Sequence, residues 1–79
     1  MREIILREDV RCFKPAFSPD CPILAKMDAY LAAGEKVQVG EPITKTYDHR
    51  DQLAIPFHWK GNDGFLLYSE VEISLVAAN

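Results

Sequence analysis

Cys12, Cys21, His49 and His58 are the side chains of this chain best suited to metal or nucleophile chemistry. Eight residues separate the two cysteines, and eight separate the two histidines. A structural zinc ion held by two of each would supply folding energy to a small domain. Zinc frameworks usually set paired ligands about two to four residues apart, because one tight turn presents both. The wider spacing here favours two unligated thiols and two solvent-facing imidazoles, with no metal or other cofactor. Cysteine–histidine catalysis would further need a thiolate beside a base and an orienting carboxylate. Asp48 and Asp51 flank His49, but no glycine-rich elbow precedes either cysteine, and only Cys21 stands at an expected helix start, where thiol pKa falls.

The remaining candidates point to binding rather than turnover. Asp48-His49-Arg50-Asp51 gathers four ionisable groups in a turn, suited to a charged patch or to pH sensing by His49. His58 and Trp59 lie on a run that also holds Pro56, which cannot donate to a strand ladder and so predicts an edge strand or a bulge. A free edge there would accept a partner's strand, with His58 and neighbouring aromatics as anchors. There is no Walker loop, nucleophile elbow or HExxH, and 79 residues leave little room for a preorganised site beside a core, so no enzymatic activity is expected.

Those residues must be positioned by one domain spanning 1–79. Nine Lys and Arg against twelve Asp and Glu give a net charge of −3, too acidic for a phosphate-neutralising nucleic-acid binder. No run of apolar residues is long enough to cross a membrane as a helix. Charged residues from Arg2 to Asp9 interrupt any leader-like stretch, so a cytoplasmic setting with reduced cysteines is expected. A Cys12–Cys21 disulfide is the alternative, and would add about 2–3 kcal/mol by the loop-entropy estimate.

The pattern predicts an α+β, mainly β domain: a curved antiparallel sheet or SH3-like barrel of five to six strands with one short helix. Short strands are expected over residues 3–6 and 10–13. Prolines 15, 19 and 22 make the next stretch irregular, and nothing in the sequence decides whether Phe17 is buried or presented within it. A helix is expected over about 22–33, with Pro22 in its first turn and Gly34 at its end. Ile23, Met27, Tyr30 and Leu31 form its apolar stripe, and four alanines add helix preference. Period-2 alternation then runs through residues 36–39 and 53–59, placing Trp59 with Leu53, Ile55 and Phe57 on the core face. Gly61-Asn62-Asp63-Gly64 reads as a hairpin turn, and residues 65–68 as a returning strand. A last strand is expected through Val71, Ile73 and Leu75, with Glu70, Glu72 and Ser74 facing water.

Val10-Arg11, the stretch from Ser18-Pro19-Asp20-Cys21 to Ala25, Gly34-Glu35-Lys36-Val37-Gln38-Val39 and Trp59-Lys60-Gly61-Asn62-Asp63-Gly64-Phe65-Leu66 follow one another in an order that resembles bacterial SH3-like domains. The resemblance spans about residues 10–73, and the stretch 27–33 is longer than that family carries there. It implies a non-catalytic barrel that binds peptides or proteins through aromatic side chains between loops, with Tyr47, Trp59 and Tyr68 at matching positions. The resulting expectation is an intracellular protein-interaction module, an accessory or inhibitory factor of the kind phage and mobile elements encode. Its partner-binding residues would be Tyr47, His49, Pro56, His58, Trp59 and Tyr68, and a homodimer is an open possibility. The alternative is a small metal- or ligand-binding domain built on His49, His58, Cys12 and Cys21.

Overall fold

The structure, a computed structural model, describes residues 1–77 of the chain. It contains β1 (Arg2–Ile5), β2 (Val10–Pro15), β3 (Leu24–Leu31), β4 (Lys36–Val39), β5 (Ile43–Tyr47), β6 (Arg50–Trp59), β7 (Asn62–Leu67) and α1 (Tyr68–Ala77). All seven strands form one antiparallel sheet in the order β1-β4-β6-β7-β2-β3, with β5 paired to β6. The sheet curls until Ile23, just before β3, makes a parallel bridge to Thr46 of β5. Thr46 N donates to Pro22 O at 2.8 Å there. The bridge does not extend into a ladder, so the sheet stays open and forms no closed barrel.

β6 is the spine, and it is not an edge. It pairs with β4 at Phe57 and His58, with β5 from Arg50 to Ala54, and with β7 from Ala54 to Trp59. Pro56 fits because its carbonyl accepts from Gly40 N at 2.9 Å where β4 ends and β5 has not begun. A residue's N and C=O point to the same side of a strand, so the missing N–H falls in that gap and the β7 ladder loses nothing.

Two expected elements are reversed. Residues 24–31 form a strand rather than a helix, paired with β2 through Pro15↔Leu24 to Val10↔Leu31. Between Arg11↔Tyr30 and Phe13↔Lys26 the register shifts, giving β3 two extra residues opposite Cys12. Residues 68–77 form the helix rather than a last strand. That helix buries Val71, Ser74 and Leu75, the i, i+3, i+4 set of one face, and leaves Glu72 and Ile73 exposed. Ser74 is buried because its Oγ accepts from Arg7 N at 2.9 Å, satisfying the turn between β1 and β2.

Alternation along β2, β6 and β7 buries residues on both faces. One cluster gathers Ile4, Leu6, Val10, Cys12, Val37, Val39, Ile55, Phe57 and Leu66 with Val71 and Leu75 of α1. The other face carries Phe13, Leu24, Ala54 and Leu67, with Tyr47 and Phe65 packed on them. Trp59 is half-buried against the first cluster, as its alternation with Ile55 and Phe57 requires, while Leu53 is exposed.

Candidate functional site

Two tight turns and one loop decide which side chains leave the sheet. Asp48 and His49 have φ of 54° and 63°, and connect Tyr47 to its partner Arg50 as a two-residue hairpin turn of the twisted kind strands favour. The β6–β7 turn is built the same way, by Lys60 (φ 48°) and Gly61 (φ 81°) between Trp59 and Asn62. It therefore falls two residues before the expected Asn-Asp-Gly, because Gly64 is needed inside β7, where a Cβ would come within 2.7 Å of the Phe13 carbonyl oxygen.

The loop between β2 and β3 presents Phe17. Three backbone bonds hold it: Ala16 N to Ile23 O at 2.8 Å, Ser18 N to Ala16 O at 2.6 Å, and Cys21 N to Ser18 O at 3.0 Å. The bond from Ser18 to Ala16 makes a γ-turn with Phe17 at its centre, at a φ of 62°. A bulky side chain rarely adopts this conformation, which stores roughly 1–3 kcal/mol of strain. The ring is 96% exposed. Transfer of a phenylalanine side chain out of water is worth about 1.5–3 kcal/mol, so this turn keeps an aromatic from a favourable burial.

The end of β5 and the turn after it gather a second set of groups. The Pro22–Thr46 bond sets Ile23 beside the end of β5, and because that bridge is parallel the tip of the β2–β3 loop with Phe17 runs away from Tyr47 and His49. His49 is exposed and Tyr47 half-buried, its ring edge-on to Phe13 with centroids 4.7 Å apart. Arg11 stands over both rings, at 5.2 Å from the centroid of Phe13 and 5.7 Å from that of Tyr47. Its guanidinium donates through Nε to Glu70 of α1 at 2.9 Å, with Nη2 paired to the same oxygen. The Glu70 hydrogen bond holds the Arg11 proton more firmly than usual; burial opposes this, while Glu70's charge and Tyr47 reinforce it.

The other expected site residues stand elsewhere. His58 is exposed at the far end of β6, its Nδ1 2.6 Å from Asp63 Oδ1. Trp59 Nε1 beside it donates to Glu35 at 3.2 Å, and Lys60 Nζ lies 4.8 Å from the Trp59 ring centroid. Tyr68 lines an open concavity of about 680 Å³ with Met1, Gly40, Pro42, Ile55 and Leu75, and Pro56 backs onto its Gly40. Tyr47, His58 and Tyr68 thus face separate parts of the surface and line no common groove. Cys12 is buried in the core, where burial pushes its thiol pKa up, and Cys21 is half-buried; both are free. Among the described residues no three His, Cys, Asp or Glu side chains gather to hold an ion, and no helix is long and apolar enough to cross a membrane. Phe17 stood out in the sequence only through Pro15 and Pro19 around it, which marked an irregular segment without giving the direction of the ring.

Fold and surface define a small, mainly β domain with an exposed aromatic at one end. No protein-family model, curated protein or solved structure matches the chain.

Proposed function

We propose that this protein is a non-catalytic protein-interaction module that docks a partner protein through the β2–β3 loop, which presents Phe17 and Ile23. The exposure of Phe17 on a hydrogen-bonded, positive-φ turn carries the proposal. Binding hot spots are rigid side chains that enter a partner's pocket with little ordering cost, and this loop is ordered before any encounter. Free thiols at Cys12 and Cys21 support an intracellular setting. In this reading the loop takes the place of the expected edge on β6, and none of the expected contact residues lies on it.

Photo-crosslinking tests the assignment. A benzophenone amino acid at position 17, in lysate of the source cells, should give a discrete, saturable protein adduct. The same probe at exposed Ile73 of α1 should not. Excess wild-type protein should compete the adduct away and a Phe17→Ala variant should not. Equal competition by both proteins, or no saturable adduct, refutes the proposal.

A further inference from the structure

The concavity of about 680 Å³ beside Tyr68 opens directly onto the larger core cluster, because Val39, Ile55 and Leu75 line the one and belong to the other. Its volume lies within the range of small-molecule sites, which combine an apolar floor with a few polar groups that fix orientation. Three segments wall it: the start of β1, the link from β4 to β5, and α1 at both Tyr68 and Leu75. Seven residues apart on a helix, those two side chains share nearly one face and stand about 10 Å apart along the axis.

The polar groups at this concavity are charges of opposite sign. Arg2 pairs with Val39 and lies two residues before Ile4, so it points to the face that buries Ile4, Val37 and Val39. Alternation would place an apolar residue there. Glu41 lines the same concavity from the β4–β5 link. Among the described residues neither Arg2 nor Glu41 forms an ion pair, with the other or elsewhere. A guanidinium presents a donor fork to a carboxylate, and a carboxylate accepts from an ammonium. Set apart around an apolar floor, the two match a ligand that carries both charges and an apolar body. A fatty acid would suit Arg2 but set its head group against Glu41, and an apolar amine would do the reverse.

We infer that this concavity binds a free α-amino acid with an apolar side chain. Arg2 takes the α-carboxylate, Glu41 takes the α-ammonium, and the side chain lies over Val39, Ile55 and Leu75 beside the Tyr68 ring. Both charged residues are exposed, so each ion pair is screened by water and Kd should be on the order of 1 mM. Phe17 does not line this concavity, so the site stands or falls separately from the docking loop.

Amide chemical-shift titrations by NMR test the assignment with L-leucine as the probe. Saturable shifts should appear at Arg2, Gly40, Glu41 and Leu75, and Phe17→Ala should leave them unchanged. Leucinamide lacks the carboxylate and 4-methylpentanoate lacks the ammonium, and each should bind about fivefold or more weaker. Arg2→Gln should erase the preference for leucine over leucinamide, and Glu41→Gln that for leucine over 4-methylpentanoate. Both changes fall on exposed side chains, and the amide spectrum itself shows whether each variant is folded. Absence of saturable shifts up to about 20 mM leucine, analogues that bind as well as leucine, or variants that keep both preferences would each overturn the inference.

Discussion

Replacing Gly64 by alanine probes how tightly β7 is wedged between its neighbours. The new Cβ would lie 2.7 Å from the Phe13 carbonyl oxygen and 2.8 Å from Phe57 Cε1. Both distances fall below van der Waals contact, and neither obstacle can swing aside. The first is backbone of β2, which touches β7 through the Phe13↔Phe65 pair. The second is a ring buried in the larger core cluster, opposite Gly64 in the β6–β7 register. Overpacking a site costs roughly 1–3 kcal/mol, and a fixed backbone obstacle puts this one at about 2–3 kcal/mol. A chain of 79 residues has a total stability of roughly 4–12 kcal/mol on the per-residue scale, so the loss is a large share. At roughly 4–8 °C per kcal/mol, Tm should drop by about 10–20 °C. Gly61→Ala is the control, because nothing lies within 4 Å of its Cβ and only its φ of 81° opposes a side chain. That strain costs about 1–2 kcal/mol. Circular-dichroism melts and urea titrations of both variants give the comparison. A Gly64→Ala protein that melts within about 2 °C of wild type, or that is more stable than Gly61→Ala, refutes the steric argument.

The thiols and the ion pair give two further expectations. In the native protein a thiol-reactive dye should modify half-buried Cys21 promptly and buried Cys12 only after unfolding. Burial raises the folded Cys12 pKa above its ordinary 9.0, so above that pH the unfolded chain ionises first and stability falls as pH rises. The slope reaches at most about 1.4 kcal/mol per pH unit; urea titrations across this range should show it in wild type and lose it in Cys12→Ala. Arg11→Met removes the tie from β2 to Glu70 of α1, and because the pair is partly exposed it should cost only about 1 kcal/mol. Most of that difference should vanish in about 1 M NaCl.

The hairpins and the β6 strand were legible because β6 alternates plainly and the residues around 48–51 and 60–64 are turn formers, while Pro56 marked as an edge what is the centre of the sheet. The mainly β class followed from them. The strand at 24–31 was masked by its own bulge. Met27 and Leu31 both reach the larger cluster while Leu24 packs on the opposite face, and two inserted residues stretch a period of two into apparent helical spacing. Its alanines added helix preference, which pairing with β2 overrides. The helix at 68–77 was masked in the opposite way. Its buried stripe includes Ser74, polar in the sequence and satisfied only by Arg7, 67 residues earlier, while apolar Ile73 points to water. In the candidate docking loop, Pro15, Pro19 and Pro22 were readable as marks of an irregular segment. Phe17 was not, since a γ-turn bond between Ala16 and Ser18 sets its direction and no sequence pattern encodes that bond.

Ser74 also bears on the order in which the chain acquires its shape during synthesis. Strands joined by tight turns, β5 with β6 and β6 with β7, can zip as they emerge. β1 must wait for β4, and β2 must wait for β7. The Arg7 amide gains its partner only when α1 has been made, and until then the cluster that holds Ile4, Cys12, Ile55 and Leu66 lacks Val71 and Leu75. Contacts of such long sequence separation make folding slow for a chain of this size. A nascent chain stopped before Val71 would carry a formed sheet with one oily side open, a ready client for a chaperone.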